Sequence, residues 1–121
     1  MDIRIRRLYH EATKNDGYRV LVDRVWPRGV SKQDAHLDAW NRDVAPTDDL
    51  RKWFGHDPDK WDEFKKQYKN ELSANWEAVA PLLEKAREKR VTLVFGAKDK
   101  EHNNAVVLRE FLEEQLESEE S

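Results

Sequence analysis

The sequence predicts a small single-domain α/β fold, a three-layer sandwich around a mostly parallel sheet. Three observations carry this. Short runs rich in β-branched and aromatic residues alternate with stretches whose apolar residues recur every three or four positions, the pattern of strands joined by helices. The chain has 121 residues, a length that suits one domain. No internal repeat and no Gly/Ser- or Pro-rich linker divides it. Residues 1–116 are therefore expected to form one domain, and residues 117–121 (ESEES) an acidic, frayed tail.

Residues 2–8 are the first expected strand, with Ile3 and Ile5 set against Arg4, Arg6 and Arg7 in partial alternation. Asn15-Asp16-Gly17 marks a turn. Residues 18–25 (YRVLVDRV) read as a buried strand. Trp26-Pro27-Arg28-Gly29 fits a tight turn, with proline at its second position and glycine at its fourth. Ser31 is placed to cap a short helix over residues 32–37. Residues 39–44 form a short strand or extended segment that ends at Pro46. Thr47 caps a helix with Asp48 and Asp49 at its positive end, and Gly55 stops it. Asp57 and Pro58 open the next helix, where Trp61, Phe64, Tyr68 and Leu72 make one apolar stripe. Trp76, Val79, Leu82 and Leu83 continue helical spacing, and Pro81 is expected to kink or restart that helix. Residues 91–95 (VTLVF) are the clearest strand. A last helix is expected over residues 102–116, with Ala105, Leu108, Leu112 and Leu116 on one face.

Composition excludes several functions. The chain has no cysteine, so disulfides, thiolate catalysis and cysteine metal sites are excluded, and a reducing cytoplasm is the expected home. The first ten residues, MDIRIRRLYH, lack the apolar run of a secretory signal, and no stretch is long and apolar enough to cross a bilayer. The formal net charge is -3, with acids and bases mixed along the chain, so there is no strong nucleic-acid signal. The fingerprints GxGxxG, GxxxxGK[ST] and GxSxG are missing from the sequence. Five tryptophans imply an aromatic-rich core or a ring-lined pocket.

In open α/β sheets ligands sit beyond the carboxyl ends of the strands. Two expected strand exits carry unusual polar residues. One holds Asp23, Arg24, Trp26, Arg28 and Lys32; the other holds Lys98, Asp99, His102, Asn103 and Asn104. If their strands are parallel neighbours, these residues share one crevice. Arginine offers a planar fork matched to phosphate or carboxylate, and Pro27 and Gly29 fix the turn that presents it. Arg24, Arg28, Lys32, Trp26, Lys98 and Asn103 are the candidate ligand-binding residues. A surface turn in which Arg24 or Arg28 pairs with Asp23 or Asp99 fits the same stretch. Asp99, His102, Asp23 and His56 are the candidate catalytic acids and bases. Asp99 or Asn103 is equally suited to capping the last helix, with His102 in its first turn. His56-Asp57 is too small a set for a metal, so no metal and no cofactor is assigned.

Four stretches together carry a resemblance: DRVWPRGVSK, WNRDVAPTDDLRKWFGHDPDKWDEFKKQY, NEL and VTLVFGAKDKEHNNAVVLREFL. They resemble the YeaO-like group of the family called domain of unknown function 488, from about residue 3 to residue 116. Thr47 stands where that pattern has serine, and Arg42 where lysine is common. The resemblance implies a small cytoplasmic α/β protein of bacterial or archaeal origin and brings no established activity. Its motif covers the strand-exit residues above and adds Arg51. The expected function is binding of a small phosphate- or carboxylate-bearing molecule by a monomer or homodimer. The alternatives are an enzyme acting on a phosphorylated or nucleotide-like small molecule, and a protein-interaction domain without a small ligand.

Overall fold

A computed structural model describes residues 2–120. Four strands form one sheet: β1 (Ile3–Arg7), β2 (Tyr18–Leu21), β3 (Ala39–Trp40) and β4 (Val91–Phe95), in the order β1-β4-β2-β3. Every pairing is parallel. Leu93 lies between Ile5 and Val20 in register, and Val94 between Arg6 and Leu21. β4 is therefore central and buried along its whole length. That double burial is why it reads as an unbroken apolar run rather than an alternating one.

Strand alternation sends neighbouring residues to opposite faces. Ile3, Val20, Val22, Val91, Leu93 and Phe95 join the main core. The same core takes in α2 (Asp48–Phe54), α3 (Trp61–Ser73), α4 (Trp76–Glu88) and α5 (Asn104–Glu120) through residues such as Phe54, Tyr68, Leu83 and Leu112. Leu21 and Val94 point the other way and pack with Leu8 and Ala35, the last residue of α1 (Lys32–Ala35). The fold is thus a small α/β domain whose third layer is thin, made of one short helix and loops. Under that layer the buried Arg19 guanidinium bonds Asp16 at 2.7 Å and the carbonyls of Ala35 and His36, so its donors are satisfied inside the fold.

Several element boundaries differ from expectation. β2 stops at Leu21 instead of Val25; one more ladder bond, Val22 N–H to the Val94 carbonyl at 3.0 Å, follows before the chain turns out. α1 ends early because His36 adopts a left-handed conformation, with φ 50° and ψ 48°. Residues 39–44 split into the two-residue β3 and a 3-10 turn over Arg42–Val44. Pro58–Lys60 form another 3-10 turn ahead of α3. Pro81 neither stops nor restarts α4, which runs through it; the break falls earlier, at Ala74 and Asn75. α5 continues past Leu116 to Glu120, where Glu119 pairs with Arg87 of α4. Ser121 lies outside the described residues. No helix among them is long and apolar enough to cross a membrane.

Candidate functional site

β2 and β4 are hydrogen-bonded parallel neighbours, so their carboxyl ends open on the same edge of the sheet. A cleft of about 300 Å³ lies there. It is the crevice expected for a ligand in a parallel α/β sheet.

Asp23, just beyond β2, is joined to the exit of β4. Its Oδ2 accepts from the Gly96 N–H at 2.9 Å, and its Oδ1 accepts from the Asn104 side-chain amide at 3.1 Å. Its backbone carbonyl accepts from the Trp40 indole at 2.7 Å. Gly96 has to be glycine for steric reasons: a Cβ there would meet Pro27 Cγ at 2.8 Å and Asp23 Oδ2 at 3.1 Å. The WPRG turn therefore packs directly on the end of the central strand. Burial pushes the Asp23 carboxyl above its usual range, against the lowering effect of the Asn104 and Gly96 hydrogen bonds and of nearby His56 and Arg51.

Around this carboxylate the lining includes Arg24, Arg28, Arg51 and His56. Arg24 is half-buried and fixed, its Nε on the Pro46 carbonyl at 3.0 Å and its Nη2 on the Ala45 carbonyl at 3.1 Å. Arg28 is exposed, and its side chain has no hydrogen-bond or ion-pair partner among the described residues. Its backbone carbonyl accepts from the Tyr9 hydroxyl at 2.8 Å. Arg51 pairs with Asp48 at 3.2 Å, both exposed. His56 is held at φ 59°, directly after Gly55 at φ 52°. Two left-handed residues in succession swing the chain sharply between α2 and the Pro58 turn. A histidine in that conformation is strained, which glycine would not be.

Apolar walls complete the cleft. Trp26 lies edge-on to Trp40, with 5.4 Å between ring centroids, and its indole N–H donates to the Val30 carbonyl at 2.7 Å. Phe54 and Phe64 stack at 4.2 Å on the helical side. Tyr9 supplies a ring that is 45% exposed, with the Arg7 guanidinium 4.8 Å from its centroid.

The structure thus gathers Asp23, Arg24, Trp26, Arg28, His56 and Asn103 around one cleft. Asn103 has a capping role as well. It is buried, its Oδ1 accepts from the Val106 N–H at 3.1 Å, and its amide donates to the Asp99 carbonyl. Lys32, Lys98, Asp99 and His102 do not line the cleft. Lys32 and Lys98 are exposed. Asp99 accepts from the Glu101 and His102 N–H groups, bonds the His102 ring at 3.0 Å, and makes no pair with Arg24 or Arg28. The two backbone bonds come first among the causes that hold its carboxyl below the usual range. His102 also sits edge-on to Trp61 at 5.1 Å. The pair is a local structural clasp at the start of α5.

Asn104, read at the second strand exit, does line the cleft, whereas Tyr9 and Arg51 line it and belong to neither exit. Arg51 had a signal in the family pattern. Tyr9 had none, since it reaches the cleft only through long-range packing.

Comparison with known proteins agrees with the sequence motifs. The family model described as the inactive DUF488-N3 subclade matches residues 2–121. The uncharacterized protein YeaO of Escherichia coli strain K12 is 38% identical over 112 residues, 93% of this chain and 97% of that protein. The uncharacterized protein Rv3073c of Mycobacterium tuberculosis strain H37Rv is 38% identical over 110 residues, 91% of this chain and 92% of that protein. No solved structure matches the chain. With a fold, a set of motifs and a whole-length family match in agreement, the chain belongs to the domain of unknown function 488 family, in its YeaO-like group.

Proposed function

We propose that this protein is a binding module for a small phosphate- or carboxylate-bearing molecule, held in the cleft between the ends of β2 and β4 without being turned over. The observation that carries the reading is the charge of that cleft. Arg24, Arg28, Arg51 and His56 line it against one carboxylate, Asp23. Guanidinium forks favour planar anions, and a walled cleft screens the attraction less than bulk water does. The subclade's description as inactive favours binding over catalysis. A cytoplasmic setting goes with this reading, supported by a sequence free of cysteine.

Thermal unfolding with phosphate, sulfate, carboxylates, sugar phosphates and nucleotides tests it. A ligand at a hundred times its Kd stabilises the folded state by about 2.7 kcal/mol, a shift of several degrees for a domain of this size. The expected result is a shift with one class of anion that vanishes in Arg28→Ala. Equal shifts in both proteins, or none, would overturn it.

A reading with turnover rests on one observation, the raised carboxyl of Asp23 inside the cleft, which suits a general acid or base. Ligand consumption by the wild type, lost in Asp23→Asn while binding persists, would establish that reading instead.

A further inference from the structure

The carboxylate of the cleft is not paired with any of its cations, and this narrows the ligand. Asp23 makes no ion pair among the described residues, despite three arginines in the same lining. It accepts one hydrogen bond from Gly96 and one from Asn104. An ionised carboxylate has about four acceptor positions, so two bonds leave capacity for a donor brought by the ligand. A ligand that is anionic throughout would set like charge against this half-buried group, at a cost. A ligand with an N–H donor at that end would satisfy it.

The cations capable of meeting an anion lie at the rim. Arg24 is committed to two backbone carbonyls. Arg28 is exposed without a side-chain partner, and Arg51 holds only the exposed Asp48, a pairing of the weak surface kind. Two rings share the same lining. Tyr9 is fixed by its hydroxyl on the Arg28 carbonyl and by Arg7 against its ring, and Trp26 by its bond to Val30. Rings already held in place stack on a planar ligand without further loss of rotamer freedom.

We infer that the cleft takes a nucleoside monophosphate, with the phosphate at Arg28 and Arg51, the amino-bearing edge of the base at Asp23, and the base plane beside Tyr9 and Trp26. The inference rests on the anion-binding reading above and goes further by requiring a donor and a plane as well as a charge. A cleft of about 300 Å³ falls at the small end of the range used by small-molecule sites.

Titration calorimetry on the full chain separates the two claims. The probes are inorganic phosphate, ribose 5-phosphate, citrate, the amino-bearing nucleotides AMP, GMP and CMP, and their deaminated counterparts IMP, XMP and UMP. The expected result is that one of the amino-bearing nucleotides binds roughly tenfold or more tighter than ribose 5-phosphate and loses that advantage when the amino group is replaced by a carbonyl oxygen. Asp23→Asn should abolish the discrimination, and Arg28→Ala should weaken all phosphorylated probes alike. The comparison between ligands needs no variant, so a poorly folding Asp23→Asn protein leaves the inference falsifiable. Arg28-dependent binding of ribose 5-phosphate, with nothing gained from any base, overturns the nucleotide inference and leaves the anion reading standing. No binding of any probe overturns both.

Discussion

The Gly96 N–H donates to Asp23 Oδ2 at 2.9 Å, tying the end of the central strand to the carboxylate of the cleft. The two residues are 73 positions apart, and Pro27 packs against Gly96. Replacing Gly96 with alanine forces a Cβ to within 2.8 Å of Pro27 Cγ. Overpacking of this kind costs about 1–3 kcal/mol. Chemical denaturation of Gly96→Ala should show that loss with an unchanged m-value, and ligand binding should weaken because Asp23 is displaced.

Arg28 and Lys32 come from the same loop-and-helix segment, yet only Arg28 lines the cleft. Both are exposed, so alanine at either should change stability by less than about 0.5 kcal/mol. Arg28→Ala should lose the ligand-induced rise in Tm, and Lys32→Ala should keep it. The pair of variants measured side by side checks the boundary of the site.

His56 sits at φ 59°. Glycine carries no Cβ penalty there, which for other residues is about 1–2 kcal/mol. His56→Gly should therefore unfold at a higher temperature than the wild type while binding anions less tightly. A rise in Tm together with unchanged affinity would show that the strained histidine serves the turn alone.

Asn103→Ala should cost about 0.5–2 kcal/mol, the usual worth of an N-cap, because Asn103 accepts from the Val106 N–H at the start of α5. Hydrogen exchange should speed up in the first turn of α5 and leave β4 unaffected. Exchange that rises across the whole sheet would mean that the buried amide does more than cap.

Asp23 gives a pH dependence whose sign is opposite to that of most carboxylates. Its folded-state pKa is raised above the ordinary 3.8. Between those two values the folded state binds more protons than the unfolded chain, so stability falls as pH rises through that window. Asp16 works the other way. Burial pushes its carboxyl up, but hydrogen bonds from Thr13 and Arg19 outweigh that and leave it lowered, so its contribution is lost as pH falls through its folded value. The stability of the wild type relative to Asp23→Asn should therefore fall as pH rises from the ordinary carboxyl value through the raised folded one, and level off above it. A difference that is flat with pH would place Asp23 in a solvated setting.

Much of the fold could be read from local pattern. VTLVF announced a doubly buried strand, and the Trp61, Phe64, Tyr68, Leu72 stripe announced α3 with its core-facing side. Thr47 and Gly55 marked both ends of α2. The failures were local rules overruled by packing. Pro81 sits inside an unbroken α4, whose Val79, Leu82, Leu83 and Ala86 are anchored in the core. Val25 was read into β2 by composition, but only Tyr18–Leu21 find partners on β4.

The site divides along the same line. By itself the sequence marked the polar residues that follow two strand exits, and it tied Asp99 to His102 through their spacing of three. Strand order decided the rest: β2 and β4, about 70 residues apart in sequence, lie side by side. That adjacency brings Asp23, Arg28 and Gly96 together. The course of the chain into α5 turns Asn104 toward Asp23 and leaves Asp99 and His102 outside the cleft. Local spacing fixes which groups are near along the chain; only the pairing of distant strands and the burial of helix faces fixes which groups meet across it.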